Sequence, residues 1–564
     1  MQKYRYLLLI VMILIGNVAA AQAQGTLPPN GVKPFIMPVA EPSGPSTWIL
    51  GQPYGNTTGA YVSGASQYSA GQYLHFGIDI SMPCGTPVIA VADGFVDSVD
   101  NPYRGSAPHN LSLSFPELGL SVLYGHLLVR PVLVEGQAVT QGQVVGLSGD
   151  PDSDCDSRPH LHFEVRSQDQ RVAYNAINFI EAPWHSLIGI DSRARSPFQR
   201  DLTNPRRWVT LEDQPDVQFG GRRLNDYAQT WPTGDQRRVP ISTLPDRPYT
   251  PIRQDWGLRQ IGSSGCCAGA WWDPTGSNRL FFIDGIAGQL AFIHEMRLDD
   301  QPTLTTSQNA PPPTLSADGS YQLIYAPDKT TVRRLSDGAE WYLAVPDNYP
   351  VLSPDNAILL WTQGTSGTRQ VWVAALDGSL NKTIWTSQGR NTSARWLDSD
   401  HVLMSEREPT PGRYTTLSVV NVHDSSVYTL GTWHNLRNLQ IAPGGQRIIF
   451  FSAFNPDPAN DGAFALEIEP GVTPEKLPWF GDYRWRDAES VYYITFDPTT
   501  DIQRLNFYHV PTGDNVALTD PAVMPFTIAN GDWSVSPDGD TIAFQSAQDH
   551  NLWLLIAGPS ASLP

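Results

Sequence analysis

From residue 251 onward the chain repeats one short phrase seven times, and that repetition limits the possible folds more than any other feature. WDPTGSNRLFFI (272–283) is echoed by LSADGSYQLIYA (315–326), LSPDNAILLWT (352–362), WLDSDHVLMS (396–405), IAPGGQRIIFF (441–451), WRDAESVYYIT (485–495) and VSPDGDTIAFQ (535–545). Each is a turn of Pro, Asp, Asn or Gly followed by a run in which apolar residues alternate, which places them on one face of a strand. QVWVAALDGS (370–379) supplies the companion strand and turn of such a unit. One unit cannot bury its apolar face alone, and the spacing is close to the period of about 40–45 residues at which four-stranded blades stack around a ring. The expectation is a β-propeller over 251–564 with seven blades, or six if the first or last echo only closes the ring.

The region before it is also β in character but does not repeat. Over 35–185 short runs such as FGIDI, TPVIAVADGFVDSV, LSLSF, LSVLYGHLLV, GQVVGLSG and HLHFEVR are separated by glycines, with almost no helical period. This predicts an all-β domain of about 150 residues. Residues 186–250 change character, with Arg clusters and repeated Pro, and read as a linker or a collar between domains. At the other end, residues 1–23 combine Lys3 and Arg5, an apolar run over 7–15 and small residues ending in Ala21-Gln22-Ala23. That run is too short for a bilayer of about 30 Å and reads as a signal peptide, followed by a Pro/Gly-rich lead-in at 24–34. The expected location is therefore secreted or in the cell envelope, with no transmembrane segment after signal cleavage.

The balance of 56 acidic against 37 basic residues, a formal charge of −19, excludes nucleic acid as a natural partner, since phosphates demand clustered Lys and Arg. Four cysteines are too few for a disulfide-built scaffold. Cys84 and Cys155 fall near the motifs described next, and export would permit them to pair. Cys266 and Cys267 are adjacent and read either as two buried thiols or as a vicinal disulfide.

The chemistry concentrates in SRPHLHFEVR (157–166). In a strand His160, His162 and Glu164 point one way, and Leu161, Phe163 and Val165 the other. Read alone, that is a half-buried strand with a polar solvent face. Two other short runs add to it: LHFGIDI (74–80), with His75 and Asp79, and YGHL (124–127), with His126. Four residues of strand span about 13 Å, whereas two atoms on one zinc lie roughly 3.4 Å apart. For His75 and Asp79 to share a metal the chain must bend, and Gly77 is where it can. An imidazole and a carboxylate suit Zn²⁺, and one more nitrogen would leave a position open for water. On spacing alone either His160 or His162 could be that third ligand, its neighbour then standing beside the activated water. His126 could do the same from across the site.

HFGIDISMPCGTPVIAVADGFV, YGHL, the Gly-spaced VEGQAVTQGQVVGLSG and PHLHFEVR, in that order over 35–184, resemble the lysostaphin or LytM-type zinc endopeptidases. The resemblance implies a small antiparallel β fold with a groove, Zn²⁺ held by His75, Asp79 and His162, and catalytic roles for His126 and His160. One departure is the loop DPDSDCDSRPH before the HxH pair, acidic where the family is rich in Gly, Ser and Thr. The repeats over 251–564 in turn resemble TolB-like, WD-type propellers. Together these readings describe a secreted zinc metalloendopeptidase that hydrolyses amide bonds in peptidoglycan stem peptides or cross-bridges, with a propeller for targeting or partner binding. The alternatives are a secreted protease acting on Gly-rich proteins and a non-catalytic cell-envelope adaptor. Elsewhere the bland readings hold: Glu164 either backs a ligand histidine or faces solvent, and Tyr124 shares a face with His126 and lines the groove or packs. The propeller Asp residues set turns.

Overall fold

The computed structural model describes residue 28 and residues 31–190, 210–224, 246–253, 255–263, 265–273, 279–284, 292–298, 304–307, 314–326, 328–344, 349–365, 368–387, 392–408 and 413–558. The predicted signal peptide at 1–23 lies outside the described residues, as does most of the lead-in at 24–34.

The N-terminal domain is an antiparallel sheet. Its elements are β1 (Ile49–Gln52), α1 (Thr58–Gln67), β2 (Ile78–Ser81), β3 (Pro87–Ile89), β4 (Gly94–Val99), β5 (His109–Phe115), β6 (Leu120–Leu127), β7 (Ala138–Val139), β8 (Val144–Leu147), β9 (His160–Ser167), β10 (Val172–Tyr174), α2 (Trp184–Gly189) and β11 (Val217–Gln218). The main sheet runs β1-β2-β9-β6-β5-β4-β7; β10 pairs with β9 and β11, and β3 with β8 form a separate pair. Strand β9 is central because its alternation serves two layers. Leu161, Phe163 and Val165 are fully buried with Ile78, Ile80, Val122 and Tyr124 in the core, each large apolar side chain contributing about 1.5–3 kcal/mol by leaving water.

The other face of β9 is not a solvent face. His160, His162, Glu164 and Arg166 are all buried, because segments distant in sequence fold over them. The Phe76 ring meets His162 edge-on, and Phe219 lies under the Arg166 guanidinium. Phe219 belongs to the 186–250 stretch, whose described parts are packed: Leu211 and Val217 join the core, and the Tyr54 hydroxyl donates to the carbonyls of Ala173 and Pro215.

The C-terminal region is a seven-bladed propeller: seven four-stranded antiparallel sheets among the described residues. The blades open with Ala268–Trp272, Thr314–Leu315, Val351–Leu352, Thr392–Trp396, Arg437–Ile441, Gly481–Trp485 and Ile528–Val535. Each of the seven sequence echoes spans the end of one of these strands and the hairpin after it. In three of those hairpins a Ser-x-Asp turn recurs: Ser316, Ser353 and Ser536 donate to Asp318, Asp355 and Asp538 and accept from the backbone N–H five residues on. The seventh blade takes its outermost strand from Trp256–Gln260, which runs antiparallel to Leu552–Ala557 in unbroken register. All seven echoes are therefore true blades, and the ring is closed by a strand that precedes the first of them.

The two domains meet at the ends where the blade strands begin. Ile49 and Ile190 insert into the apolar cluster of the fifth and sixth blades. Ser186 donates through its N–H to Asp501 and through its hydroxyl to the Thr500 carbonyl, the Phe454 N–H donates to the Pro45 carbonyl, and Arg407 donates to the Ser157 carbonyl at 3.0 Å.

Candidate metal centre

Three strands bring the predicted ligands together. Asp79 on β2 lies directly opposite His162 on β9, and His162 lies opposite Gly125 on β6. His75 precedes β2, bridged to Gly55, and the chain bends at Gly77. A Cβ at Gly77 would stand 2.7 Å from His162 Cε1 and 2.7 Å from the Phe163 carbonyl oxygen, so the bend also lets the His162 ring pass close to the backbone.

The donor atoms converge. Asp79 Oδ1 is 2.8 Å from His162 Nδ1 and 3.2 Å from His75 Nε2, and the two ring nitrogens are 3.4 Å apart. Those separations match the roughly 3.4 Å edge of a tetrahedral zinc shell, slightly contracted. Among the described residues no other group of three His, Cys, Asp or Glu side chains meets in this way. The second nitrogen of each ring is anchored, as metal-binding imidazoles require: His75 Nδ1 to the Pro53 carbonyl at 2.7 Å, His162 Nε2 to Glu164 Oε1 at 3.2 Å. Glu164 is in turn held by two 2.7 Å hydrogen bonds from Arg166. Of the two readings of Glu164, the one behind a ligand histidine is what the structure has.

The electrostatics favour a cation. Burial opposes the charge on Asp79, but His75 and His160 outweigh it and hold the carboxyl well below its usual range. Burial likewise opposes a charged His162, yet hydrogen bonds to Asp79 and Glu164 lift it to about 9. Glu164 stays ionised, lowered to about 2 by Arg166 and His162 against the same burial. A proton on His162 thus stands where a metal charge would go, and the donor set of two imidazoles and one carboxylate fits Zn²⁺.

The two remaining histidines flank this trio. His160 Nε2 is 3.5 Å from Asp79 Oδ1, and its Nδ1 is 2.6 Å from the Arg158 carbonyl. His126 Nδ1 bonds the Ala107 carbonyl, and its ring centroid is 4.9 Å from that of His160. Regular alternation along β6 would put His126 on the same side as Tyr124, which is buried against Phe163 and hydrogen-bonded to Ile89 and Val91. The expectation that Tyr124 and His126 share a face is corrected here. His126 has φ +57, a left-handed residue that reverses the alternation and turns the ring toward the metal trio. Tyr124 packs in the core. Burial pushes His126 down to about 3, helped by His160 and His162, and lowers His160 too; both rings are neutral near pH 7.

Tyr68 was not singled out by the sequence. It stands edge-on to His75 at 5.5 Å, and its pKa is raised by burial and then by Asp79 to about 12. The acidic loop 150–158 is folded on itself: Asp150 accepts from the N–H groups of Asp152, Ser157 and Arg158 and from the Ser157 hydroxyl. Cys155 ties this loop by a disulfide to Cys84, just beyond β2. Cys266 and Cys267 are joined as a vicinal disulfide.

HxxxD, YGH and HxH thus meet around one point of a β domain that carries a candidate metal site and is followed by a propeller. Residues 73–174 match the family described as Peptidase family M23, so the N-terminal domain is of M23 type. Over 231 residues the chain is 26% identical to the glycyl-glycine endopeptidase ALE-1 of Staphylococcus capitis, covering 40% of this chain and 59% of that protein. Over 93 residues it is 37% identical to the peptidoglycan DD-endopeptidase ShyA of Vibrio cholerae, covering 16% of this chain and 20% of that protein. The chain thus spans less than two thirds of either relative. Among solved structures, an oligogalacturonate lyase in complex with manganese covers 57% of this chain and 99% of its own, at 13% identity and a TM-score of 0.40.

Proposed function

We propose that this protein is a zinc-dependent endopeptidase that works outside the cytoplasm and hydrolyses amide bonds in peptidoglycan stem peptides or cross-bridges. The observation that carries the reading is the convergence of His75 Nε2, Asp79 Oδ1 and His162 Nδ1 within 2.8–3.4 Å of one another. Both rings have their far nitrogens anchored. The two relatives named above, each an endopeptidase by name, support the substrate class. Two disulfides and the N-terminal apolar run support export.

Zinc held by these three residues would polarise the scissile carbonyl and lower the pKa of water toward neutrality. The rest falls to the chain's own groups. His160 and His126 each give their Nδ1 to a carbonyl, which fixes the proton there and leaves Nε2 as a lone-pair acceptor facing the site. His160 takes the proton from the attacking water and returns it to the departing amine. His126, across the site, accepts from the water through its neutral Nε2 and holds it in line. The amide C–N bond breaks, and water supplies the new carboxylate oxygen and the amine proton. The propeller, seated against loop 150–158, binds wall material or a partner.

The test is digestion of purified peptidoglycan by the full chain, with and without chelator, the fragments being read by mass spectrometry. Chelator-sensitive release of fragments with new amine ends is the expected result and names the bond. Intact wall, in the presence of zinc-loaded protein, would overturn the wall substrate; cleavage of Gly-rich proteins or an unchanged His160→Ala phenotype would then favour the alternatives.

A further inference from the structure

In a chain of net charge −19, one cavity of about 370 Å³ is lined by five arginines among thirteen residues, with no Asp or Glu in its described lining. The arginines are Arg369, Arg395, Arg407, Arg413 and Arg437, contributed by the third, fourth and fifth blades. They cluster where first strands begin and second strands end, the same end of the propeller on which the peptidase domain sits. Arg407 links the two: it lines the cavity and donates to the Ser157 carbonyl. Ser157 is three residues before His160, and its neighbour Arg158 offers the carbonyl that fixes the His160 ring.

We propose that this cavity is an oxyanion subsite of the peptidase, binding carboxylates of an acidic peptide whose cleavable bond lies at the metal centre. The proposal rests on the endopeptidase reading above and extends it to substrate class. Guanidinium groups bind carboxylate or phosphate through paired, charge-assisted hydrogen bonds. Three of the five are oriented by main-chain carbonyls, Arg407 toward Ser157 at 3.0 Å, Arg395 toward Leu439 at 2.8 Å and Arg369 toward Thr392 at 3.5 Å, and Arg437 stacks on Phe454. Burial lowers the pKa of Arg395, a cost that an incoming anion offsets. The remaining lining is Thr, Ser, Asn and Leu, suited to a short polar chain, and the volume admits a few groups rather than a duplex. Wall peptides carry free carboxylates, and phosphate-bearing polymers would offer the same chemistry from a second source.

The experiment titrates the full chain by calorimetry with tetraglutamate, tetraglutamine and inorganic phosphate. Tetraglutamate should bind in a manner weakened by salt, and tetraglutamine should not. Arg369→Gln combined with Arg395→Gln should weaken tetraglutamate by about tenfold or more. The matching Lys double variant, which keeps the charge and loses the fork, should fall between the two and serves if the Gln variant fails to fold. On wall fragments the Gln variant should raise KM several-fold and leave kcat unchanged. No binding of any anion by the intact chain, or equal binding by the variants, overturns the proposal. Binding of phosphate alone keeps an oxyanion site and overturns the peptide as its source. Binding without any wall hydrolysis by the unmodified chain refutes the endopeptidase reading instead and leaves the cavity as an anion site.

Discussion

The metal centre and the arginine cavity stand on either side of loop 150–158, and they are assembled by opposite means. In the M23-type domain every functional ring has one nitrogen anchored, and His162 is braced on both. His162 has Asp79 on one nitrogen and Glu164 on the other, and Arg166 braces Glu164. That is a chain of buried, alternating charges whose parts lose meaning singly. In the propeller the arginines come from equivalent ends of neighbouring blades, and those whose partners are seen lean on carbonyls or an aromatic face. One site is fixed by charge against charge and suits a single small cation. The other is fixed by a repeated backbone and suits anions of varied shape. A chemical centre tolerates little displacement, whereas a binding surface gains from latitude.

The sharpest way to break this contrast is at the acid–base histidines. His160→Ala or His126→Ala should lower kcat for wall hydrolysis by about 10²–10⁴-fold while bound zinc, measured by elemental analysis, stays at one per chain. His75→Ala and Asp79→Ala should lose metal and activity together. If His160→Ala also lost the metal, the division between ligands and proton carriers would be wrong.

Next in size is the brace. Glu164→Gln removes the charge behind His162 and leaves Arg166 buried against a neutral group, so zinc affinity or activity should fall about 10–100-fold, with about 3–5 kcal/mol lost in stability by denaturant unfolding. An unaffected zinc affinity would demote Glu164 to packing. Third, Cys84→Ser with Cys155→Ser frees the loop that both sites touch. The bridge spans 71 residues, and its loss should cost about 2–4 kcal/mol in unfolding free energy and raise KM more than it lowers kcat. A loss of zinc instead would show that the loop supports the ligands too.

The smallest effect lies at the join. Buried His185 faces Glu212 at 2.9 Å, with Asp501 and Lys33 nearby. Burial opposes its charge, but Glu212 raises its pKa; Glu212, opposed by burial and paired with His185, is lowered to about 2. The raised His185 contributes stability that is complete below its ordinary value of about 6.5 and is lost as pH rises through the raised one; the lowered Glu212 contributes stability present above about 4.3 and lost as pH falls toward 2. The thermal midpoint of the full chain should therefore decline on the alkaline side, and His185→Gln should flatten that decline. An identical alkaline slope in the variant would assign it to other groups.

What the sequence made legible follows locality. Each propeller echo carries its own hairpin, so the sequence narrowed the ring to six or seven blades without coordinates. The closing strand Trp256–Gln260 could not, because its partner Leu552–Ala557 lies at the far end of the region. HxxxD and HxH are visible because each sits within five residues, yet spacing left His160 and His162 equal as ligands, and only the resemblance separated them. The side to which His126 points depends on one left-handed residue, which a strand pattern does not announce. Glu164 looked half solvent-facing because Phe76 and Phe219, which wall that face, arrive from elsewhere in the chain. The five arginines lie scattered over 369–437 and become a cluster only when three blades curve together.

The closing strand also sets an order in time. Trp256–Gln260 leaves the ribosome about 290 residues before the strand that pairs with it, and contacts of such separation form late. The seventh blade, which meets the N-terminal domain through Asn530 and His185, is the last to be made. Until then the ring is open, although the third to fifth blades that line the arginine cavity are already made. Synthesis itself thus leaves the contact between the N-terminal domain and the seventh blade until the chain is nearly finished.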